Sequence, residues 1–379
     1  MKTRTQRQLE AVQNWKTNNC IGTIVATTGF GKTYTSILAI NLVKPKDIIV
    51  VVPTIVLKDQ WTKELTKHKV NNFKVIVINT ASRLQDKCDM LIIDEYHTVG
   101  AVTFREVLNS IKYNKLLTLT ATIERMDGEH EFLLSKSPIV DSISLKEALD
   151  NKWVNQFMVY NLPVPFGSEE LSAYNKADKA FKYFAMVMGY NAFDTAKKWL
   201  ASGTTDEKGK AMAYYNAMRK RKQLILENSN KLDMTIDIVK KFNTSKFIVF
   251  PESIQFADDL ESNLKKICVK IHSKMTKKQQ ETAMKSFNDP KSKIRGIASV
   301  KALSAGLDIP ELDLGIRASF NSSKLVNTQS LGRLLRIVEG KQTRFINLYT
   351  PDTQEFNWLN KSQEGQSNIK WIKSIDEIK

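Results

Sequence analysis

Short apolar runs of four or five residues recur along the first third of the chain, at Ile21–Val25, Ile48–Val52, Val75–Ile78, Met90–Ile93 and Leu116–Leu119. They do not alternate apolar with polar positions, which is the pattern of strands buried on both faces. Longer amphipathic or polar stretches separate them, and strands with helical crossovers predict a parallel sheet. Comparable runs return at Phe247–Phe250, Val269–Ile271, Ile294–Ala298 and Phe345–Leu348, so a second α/β unit is expected. Between the two lies a proline-free stretch, Gly167 to Lys231, in which Phe181, Phe184, Met188, Phe193 and Trp199 fall at broadly helical spacing. A polar turn, Ser202-Gly203-Thr204-Thr205-Asp206, interrupts it.

The expected fold class is therefore α/β, with two parallel-sheet domains in tandem and a helical insertion between them. The boundaries expected are 1–162 for the first domain and 163–231 for the linker and insertion, Leu162-Pro163-Val164-Pro165 being extended. Residues 232–350 form the second domain. Residues 351–379, with Trp358 and Trp371 among polar neighbours, are expected to add one or two helices packed on it.

Composition narrows the classes of function. With 379 residues, the chain is long enough for two sizeable cores. No apolar run approaches the length of a membrane span, and Met1 to Glu10 is too polar for a signal peptide, so a soluble intracellular protein is expected. Cys20, Cys88 and Cys268 are far apart and each borders an apolar run, which points to buried reduced thiols rather than a zinc site or disulfide frame. The four histidines form no ligand-spaced pair. The net charge of +17 calls for a polyanionic partner, nucleic acid first among them. The excess is uneven: Lys265 to Lys301 holds eleven Lys/Arg against Glu281 and Asp289 alone. The run Arg219-Lys220-Arg221-Lys222 is a further candidate contact for a phosphate backbone.

Candidate chemistry begins behind the first apolar run. Ala26-Thr27-Thr28-Gly29-Phe30-Gly31-Lys32-Thr33 ends in Gly-Lys-Thr and precedes an apolar-periodic segment, Tyr34 to Leu42. Strand, tight loop and helix N-terminus in that order cradle a polyphosphate through backbone N–H groups, here from Thr28, Gly29, Phe30 and Gly31. Lys32 would reach the β/γ-phosphates, and the Thr33 hydroxyl would ligate Mg²⁺. Ala26 stands where the pattern has its first glycine, a small residue that still permits close approach. Asp94-Glu95 follows the run Met90-Leu91-Ile92-Ile93, so two carboxylates emerge at the C-terminal end of a core strand, the edge where parallel sheets bind ligands. One carboxylate there can hold Mg²⁺ and its neighbour can polarise an attacking water.

These motifs together resemble a superfamily 2 helicase or translocase of the DExH-box type, and the family's motifs run in order over most of the chain. The resemblance implies two RecA-like domains, with ATP and Mg²⁺ as cofactors. Gln8 resembles the adenine-reading glutamine upstream of the P-loop, with Gln6 as a rival. Ala26–Thr33 is similar to motif I and Asp94-Glu95-Tyr96-His97 to motif II, which implies Mg²⁺ on Asp94, a catalytic base in Glu95 and a link to the domain interface in His97. Val51-Val52-Pro53-Thr54 with Gln60-Trp61 resembles motif Ia, and Asn79-Thr80-Ala81-Ser82 sits where motif Ib lies; Pro53, Thr54, Thr80 and Ser82 become candidate contacts to a nucleic-acid strand. Leu119-Thr120-Ala121-Thr122 looks like motif III, with Ile123 where the family has proline and Glu124-Arg125 continuing the pattern.

In the second half, Ile248-Val249-Phe250 and His272-Ser273 resemble motifs IV and IVa, and His272, Ser299 and Leu303 join the candidate strand contacts. Leu303 to Pro310 is close to motif V, which in the family touches both strand and ribose and carries Gly306 and Asp308 to the nucleotide side. Gln329-Ser330-Leu331-Gly332-Arg333-Leu334-Leu335-Arg336 matches motif VI. On a helix, Gln329, Arg333 and Arg336 share a face and can aim at one phosphoryl group. An arginine finger presented across a domain cleft explains why two α/β domains are needed.

The group most resembled is that of phage and bacterial UvsW- and XPB-like DNA motors, which implies single-stranded, forked or branched DNA as substrate. It also implies a monomeric motor, no membrane, and the cytoplasm of a bacterium or phage-infected cell. An RNA helicase, a restriction-type translocation subunit and a non-hydrolysing ATP-gated nucleic-acid clamp are the competing expectations.

Overall fold

The computed structural model describes residues 2–100, 105–121, 130–154, 156–300, 312–320, 343–363 and 368–379. The first unit runs α1 (Arg4–Thr17), β1 (Ile21–Ala26), α2 (Lys32–Val43), β2 (Ile48–Val52), α3 (Ile55–Lys67), β3 (Phe73–Val77) and α4 (Ile78–Ala81). It continues through β4 (Asp86–Ile93), α5 (Val107–Ser110), β5 (Ile111–Thr120), α6 (His130–Lys136), β6 (Ile139–Ile143) and α7 (Leu145–Asp150). Its six strands lie in the order β3-β2-β4-β5-β1-β6. Every pairing is parallel, as uniformly apolar strands with crossover helices require. The apolar runs read from the sequence are its centre: all five residues of β2 are buried, and Met90 to Ile93 of β4 are fully covered.

A second parallel sheet begins earlier than the chain pattern indicated. β7 (Phe157–Pro163) pairs along its whole length with a strand near the C-terminus, β12 below, so the expected boundary at 162 cuts through an element of the second sheet. The physical reason is that Asn161 and Pro163 disguise a buried strand: the Asn161 amide is satisfied by Asn347 and Gln363, which removes the cost of burying it. The insertion follows as three helices, α8 (Ser168–Met188), α9 (Ala192–Ser202) and α10 (Thr205–Leu226), and α11 (Asn230–Lys241) leads back. The remaining elements are β8 (Phe247–Phe250), α12 (Ile254–Asn263), β9 (Cys268–Ile271), α13 (Lys277–Asn288), β10 (Gly296–Ser299), β11 (Leu314–Arg317) and β12 (Thr343–Tyr349). α14 (Gln354–Ser362) and β13 (Ile369–Trp371) follow, and a short 3-10 turn at Ile375–Glu377 comes last. The order is β13-β7-β12-β11-β8-β10-β9. The tail thus supplies one helix and, where a second helix was an option, an edge strand beside β7.

Helix starts are set locally. Thr3, Thr54, Ser144, Thr204, Ser253, Thr276 and Thr353 each accept a first-turn backbone N–H on their hydroxyl, the standard remedy for orphaned helix donors. The insertion has a core of its own around Met188, Ala196, Ala211 and Tyr214. Arg221 belongs to that interior: it pairs with Asp178 at 2.9 Å and its guanidinium lies 4.2 Å from the Phe181 ring centroid. Of the basic run read from the sequence, only Arg219, Lys220 and Lys222 face solvent. Among the described residues no helix is long and apolar enough to cross a membrane.

Candidate nucleotide site

The site forms at the C-terminal edge of the first sheet, where β4, β5 and β1 lie side by side. Residues 27–31 leave β1 and turn into α2 through Gly29 (φ 82°) and Gly31 (φ 95°), left-handed conformations that glycine adopts without strain. Gly31 is the N-cap of α2 and offers no side-chain cap, and no acidic residue occupies the first turn. The positive end of the helix is therefore open to an anion. A Cβ on Gly31 would lie 2.9 Å from Gln8 Nε2, so a side chain there would push the Gln8 amide aside as well as strain the backbone.

Two contacts hold the loop. Gln8, buried on α1, donates Nε2 to the Phe30 carbonyl at 2.9 Å and reaches the Gly31 carbonyl at 3.4 Å. The Phe30 ring is fully buried and meets Trp153 edge-on at 5.8 Å. Between the two glutamines the geometry is plain: exposed Gln6 closes the capping box with Thr3, while Gln8 sits on the loop with its Oε1 buried and, among the described residues, without a hydrogen-bond partner. Arg7 fixes the helix that carries Gln8, making a two-bond clamp on Asp141 at 2.6 and 2.9 Å and a third bond to Glu147 at 2.9 Å. The Asp141 carboxylate in turn holds the guanidinium well above its ordinary pKa.

Across the strand edge, Asp94 and Glu95 emerge from β4. The Lys32 Nζ lies 3.5 Å from the Ala26 carbonyl and 4.0 Å from Glu95 Oε1. Asp94 is buried, and burial followed by the neighbouring Glu95 charge pushes its carboxyl up; Lys32 and hydrogen bonds from Trp61 and the Glu95 N–H oppose that shift. Those bonds are Trp61 Nε1 to Asp94 Oδ2 at 2.8 Å and the Glu95 N–H to Asp94 Oδ1 at 2.9 Å. Glu95 has φ 50°, and among the described residues its buried Oε2 has no hydrogen-bond partner, with His97 Nδ1 3.5 Å away. His97 Nδ1 also lies 3.1 Å from Thr120 Oγ1 at the end of β5, which brings the first residues of the motif III stretch to the site. Thr122 to Arg125 lie outside the described residues, as do Leu303, Gly306, Asp308, Gln329, Arg333 and Arg336.

Buried oxygens left open on Gln8, Thr28 and Glu95, around an uncapped helix start with one lysine, match a ligand with both donors and negative charge, which is what a nucleoside polyphosphate offers. For a divalent ion, the candidate donors are the Asp94 carboxylate and the half-buried Thr33 hydroxyl, hard oxygens of the kind Mg²⁺ takes. Among the described residues no group of three His, Cys, Asp or Glu could form a closed cage.

The candidate strand contacts divide. Pro53 and Thr54 are half-buried at the start of α3, and Thr80 is exposed on α4 beside half-buried Ser82. His272 follows β9 and Ser299 ends the adjacent β10, but both are buried, and among the described residues their Nδ1 and Oγ lack hydrogen-bond partners. Around them the basic stretch does face solvent, at Lys265, Lys266, Lys274, Lys277, Lys278, Lys285, Lys291 and Lys293. Sequence reasoning missed Arg7, Asp141 and Trp153 and gave Trp61 no role at the nucleotide; no motif spacing links these residues to their distant partners.

A P-loop strand edge beside a carboxylate pair, followed by a second parallel sheet, defines the class of two-domain ATP-dependent motors. Comparison with known proteins gives the family. Residues 230–338 match the helicase conserved C-terminal domain, and residues 2–87 and 77–125 match the type III restriction enzyme res subunit. The DNA 3'-5' translocase XPB2 of Sulfurisphaera tokodaii is 25% identical over 94% of this chain and 84% of its own length. Two solved structures share the fold. The Hef helicase domain of Pyrococcus furiosus has a TM-score of 0.60 at 15% identity, covering 94% of this chain and 98% of that one. A variant of S. cerevisiae Dbp5 bound to RNA and ADP BeF3 has a TM-score of 0.63 at 14% identity, covering 97% and 90%. The chain belongs to the superfamily 2 helicases and translocases, and it is an ATP-hydrolysing enzyme.

Proposed function

We propose that this chain moves along DNA by hydrolysing ATP, with the site at the first sheet's edge as its engine. The observation that carries this is the convergence of Lys32, Asp94 and Glu95 on an uncapped helix start whose surrounding oxygens are unpaired. In this scheme Gln8 reads the adenine, residues 28–31 and Lys32 hold the phosphates, and Thr33 and Asp94 hold Mg²⁺. Bound there, the ion neutralises charge on the phosphate oxygens. Glu95 takes a proton from the attacking water, and His97 passes the state of Glu95 to Thr120. Gln329, Arg333 and Arg336 close on the triphosphate from the second domain, with Gly306 and Asp308 against the ribose.

DNA as the track is supported by the net charge, the exposed lysines of the second domain and the translocase named above. The strand would cross Pro53, Thr54, Thr80 and Ser82, then His272, Ser299 and Leu303. For substrate choice the insertion is the candidate, because Tyr183, Tyr190 and Phe193 are exposed on it and offer aromatic faces to unpaired bases. That feature favours a forked or branched substrate, which presents unpaired bases at its junction. Steady-state phosphate release measured with forked DNA, single-stranded DNA and RNA tests the scheme: forked DNA should stimulate most. Equal or greater stimulation by RNA would make the chain an RNA helicase, and no turnover with any of them would make it a clamp.

A further inference from the structure

Helix α3 joins the two halves of this scheme inside one domain. Its N-terminal turn, Thr54 with 63% exposed Ile55, is a candidate contact for the nucleic-acid strand. Two turns further on, Trp61 is 1% exposed and its indole N–H donates to Asp94 Oδ2 at 2.8 Å. Seven residues of helix separate the two points, a rigid link of about 10 Å. The connection is direct because β2, whose end leads into α3, is the neighbour of β4, whose end carries Asp94; the Asp94 N–H donates to the Val51 carbonyl at 2.9 Å.

A buried tryptophan needs a partner for its N–H, and a backbone carbonyl usually serves. Trp15 follows that habit and donates to the Leu116 carbonyl at 2.8 Å. Trp61 instead donates to a carboxylate in the nucleotide site. Its bond and that from the Glu95 N–H occupy one position on each Asp94 oxygen and fix the plane of the carboxylate. The remaining lone pairs stay available to a cation. Any roll or slide of α3 when a strand seats on its first turn must move the indole, and the indole must turn the carboxylate.

We propose that Trp61 is a positioning residue through which nucleic acid bound at the start of α3 aims Asp94, so that ATP hydrolysis responds to the strand. This rests on the motor reading above. Trp61→Phe keeps most of the buried volume and removes the donor. Outer-shell hydrogen-bond partners typically matter about 10–100-fold in metal affinity, so Mn²⁺ binding to the ADP complex, read by electron paramagnetic resonance, should weaken by about tenfold or more. The ratio of ATP turnover with and without oligonucleotide should collapse toward one, while oligonucleotide affinity without nucleotide, read by fluorescence anisotropy, stays within about twofold.

If the unsubstituted protein shows no stimulation, the motor reading itself fails. If it is stimulated and Trp61→Phe keeps both that ratio and the Mn²⁺ affinity, only the Trp61 role is overturned. A uniform loss of turnover at an unchanged ratio also overturns it, because the residue then serves stability alone. Should Trp61→Phe not fold, the unsubstituted chain carries the test through ¹⁵N-tryptophan labelling. The Trp61 indole resonance, assigned by replacing the other five tryptophans one at a time, should shift on adding oligonucleotide alone and again on adding Mg²⁺ with ADP. An indole signal blind to the oligonucleotide would refute the coupling.

Discussion

The two sheets share a parallel architecture, and among the described residues both C-terminal edges leave buried polar atoms without hydrogen-bond partners, His272 Nδ1 and Ser299 Oγ at the second among them. Yet the two edges treat a buried carboxylate in opposite ways. At the first, Gln8, Thr28 and Glu95 each keep a buried oxygen without a hydrogen-bond partner, and Glu95 adopts a left-handed backbone beside the like charge of Asp94. At the second, Glu355 of α14 sits wholly buried against Lys231 of α11, at 2.6 and 2.8 Å. Its two oxygens also accept the N–H groups of Phe320 and Thr350, just beyond the ends of β11 and β12, at 2.9 and 2.7 Å. Burial lowers the Lys231 pKa from its ordinary value, and Glu355 opposes that shift. One edge stores unmet bonding capacity for a ligand; the other meets the demands of this buried pair internally and fastens the insertion's exit to the tail.

The largest effect expected from this contrast is on turnover. Lys32→Ala should reduce ATP hydrolysis by on the order of 10³-fold or more, measured as phosphate release, with little change in thermal midpoint because Lys32 makes only long contacts among the described residues. One chemical change made at both edges sharpens the comparison further. Glu355→Gln leaves the Lys231 charge buried and uncompensated, which costs about 3–5 kcal/mol; differential scanning calorimetry should show a midpoint lower by about 10 °C. Glu95→Gln removes a like charge beside Asp94, so the midpoint should hold or rise by about 1–2 °C, while hydrolysis falls by about 10²-fold or more. A matching loss of stability at Glu95 would erase the distinction between the edges. Gln8→Ala should raise the KM for ATP by about tenfold and narrow the preference for ATP over GTP, with kcat nearly unchanged. The smallest effect concerns interiors away from both edges. Burial pushes the Cys88 thiol in the first sheet and the Cys268 thiol in the second up to about 12, so both should stay silent toward a thiol reagent at pH 8 in the native protein.

What the sequence disclosed follows the same division. Strands β1, β2, β4 and β5 are legible because each carries a short, mostly apolar run that does not alternate with charged positions, the mark of burial on both faces. The strand Phe157–Pro163 was hidden by Asn161 and the Pro-Val-Pro that follows, and Leu314–Arg317 by its brevity, a glycine and a buried arginine. Ile369–Trp371 is an edge strand with Lys370 at its centre, so it lacks the apolar signal altogether. The P-loop and Asp94-Glu95 were legible because their chemistry is contiguous in the chain. Trp61 on Asp94 and Arg7 on Asp141 were not, since a contact 33 or 134 residues apart leaves no local pattern.

The most direct measurement is phosphate release from ATP by the full chain, with and without forked DNA, beside the Lys32→Ala chain under the same conditions. DNA-stimulated turnover that vanishes on losing the lysine is the result expected. Turnover that survives its loss, or that ignores DNA altogether, would contradict the assignment of the first sheet's edge as the engine of a DNA motor.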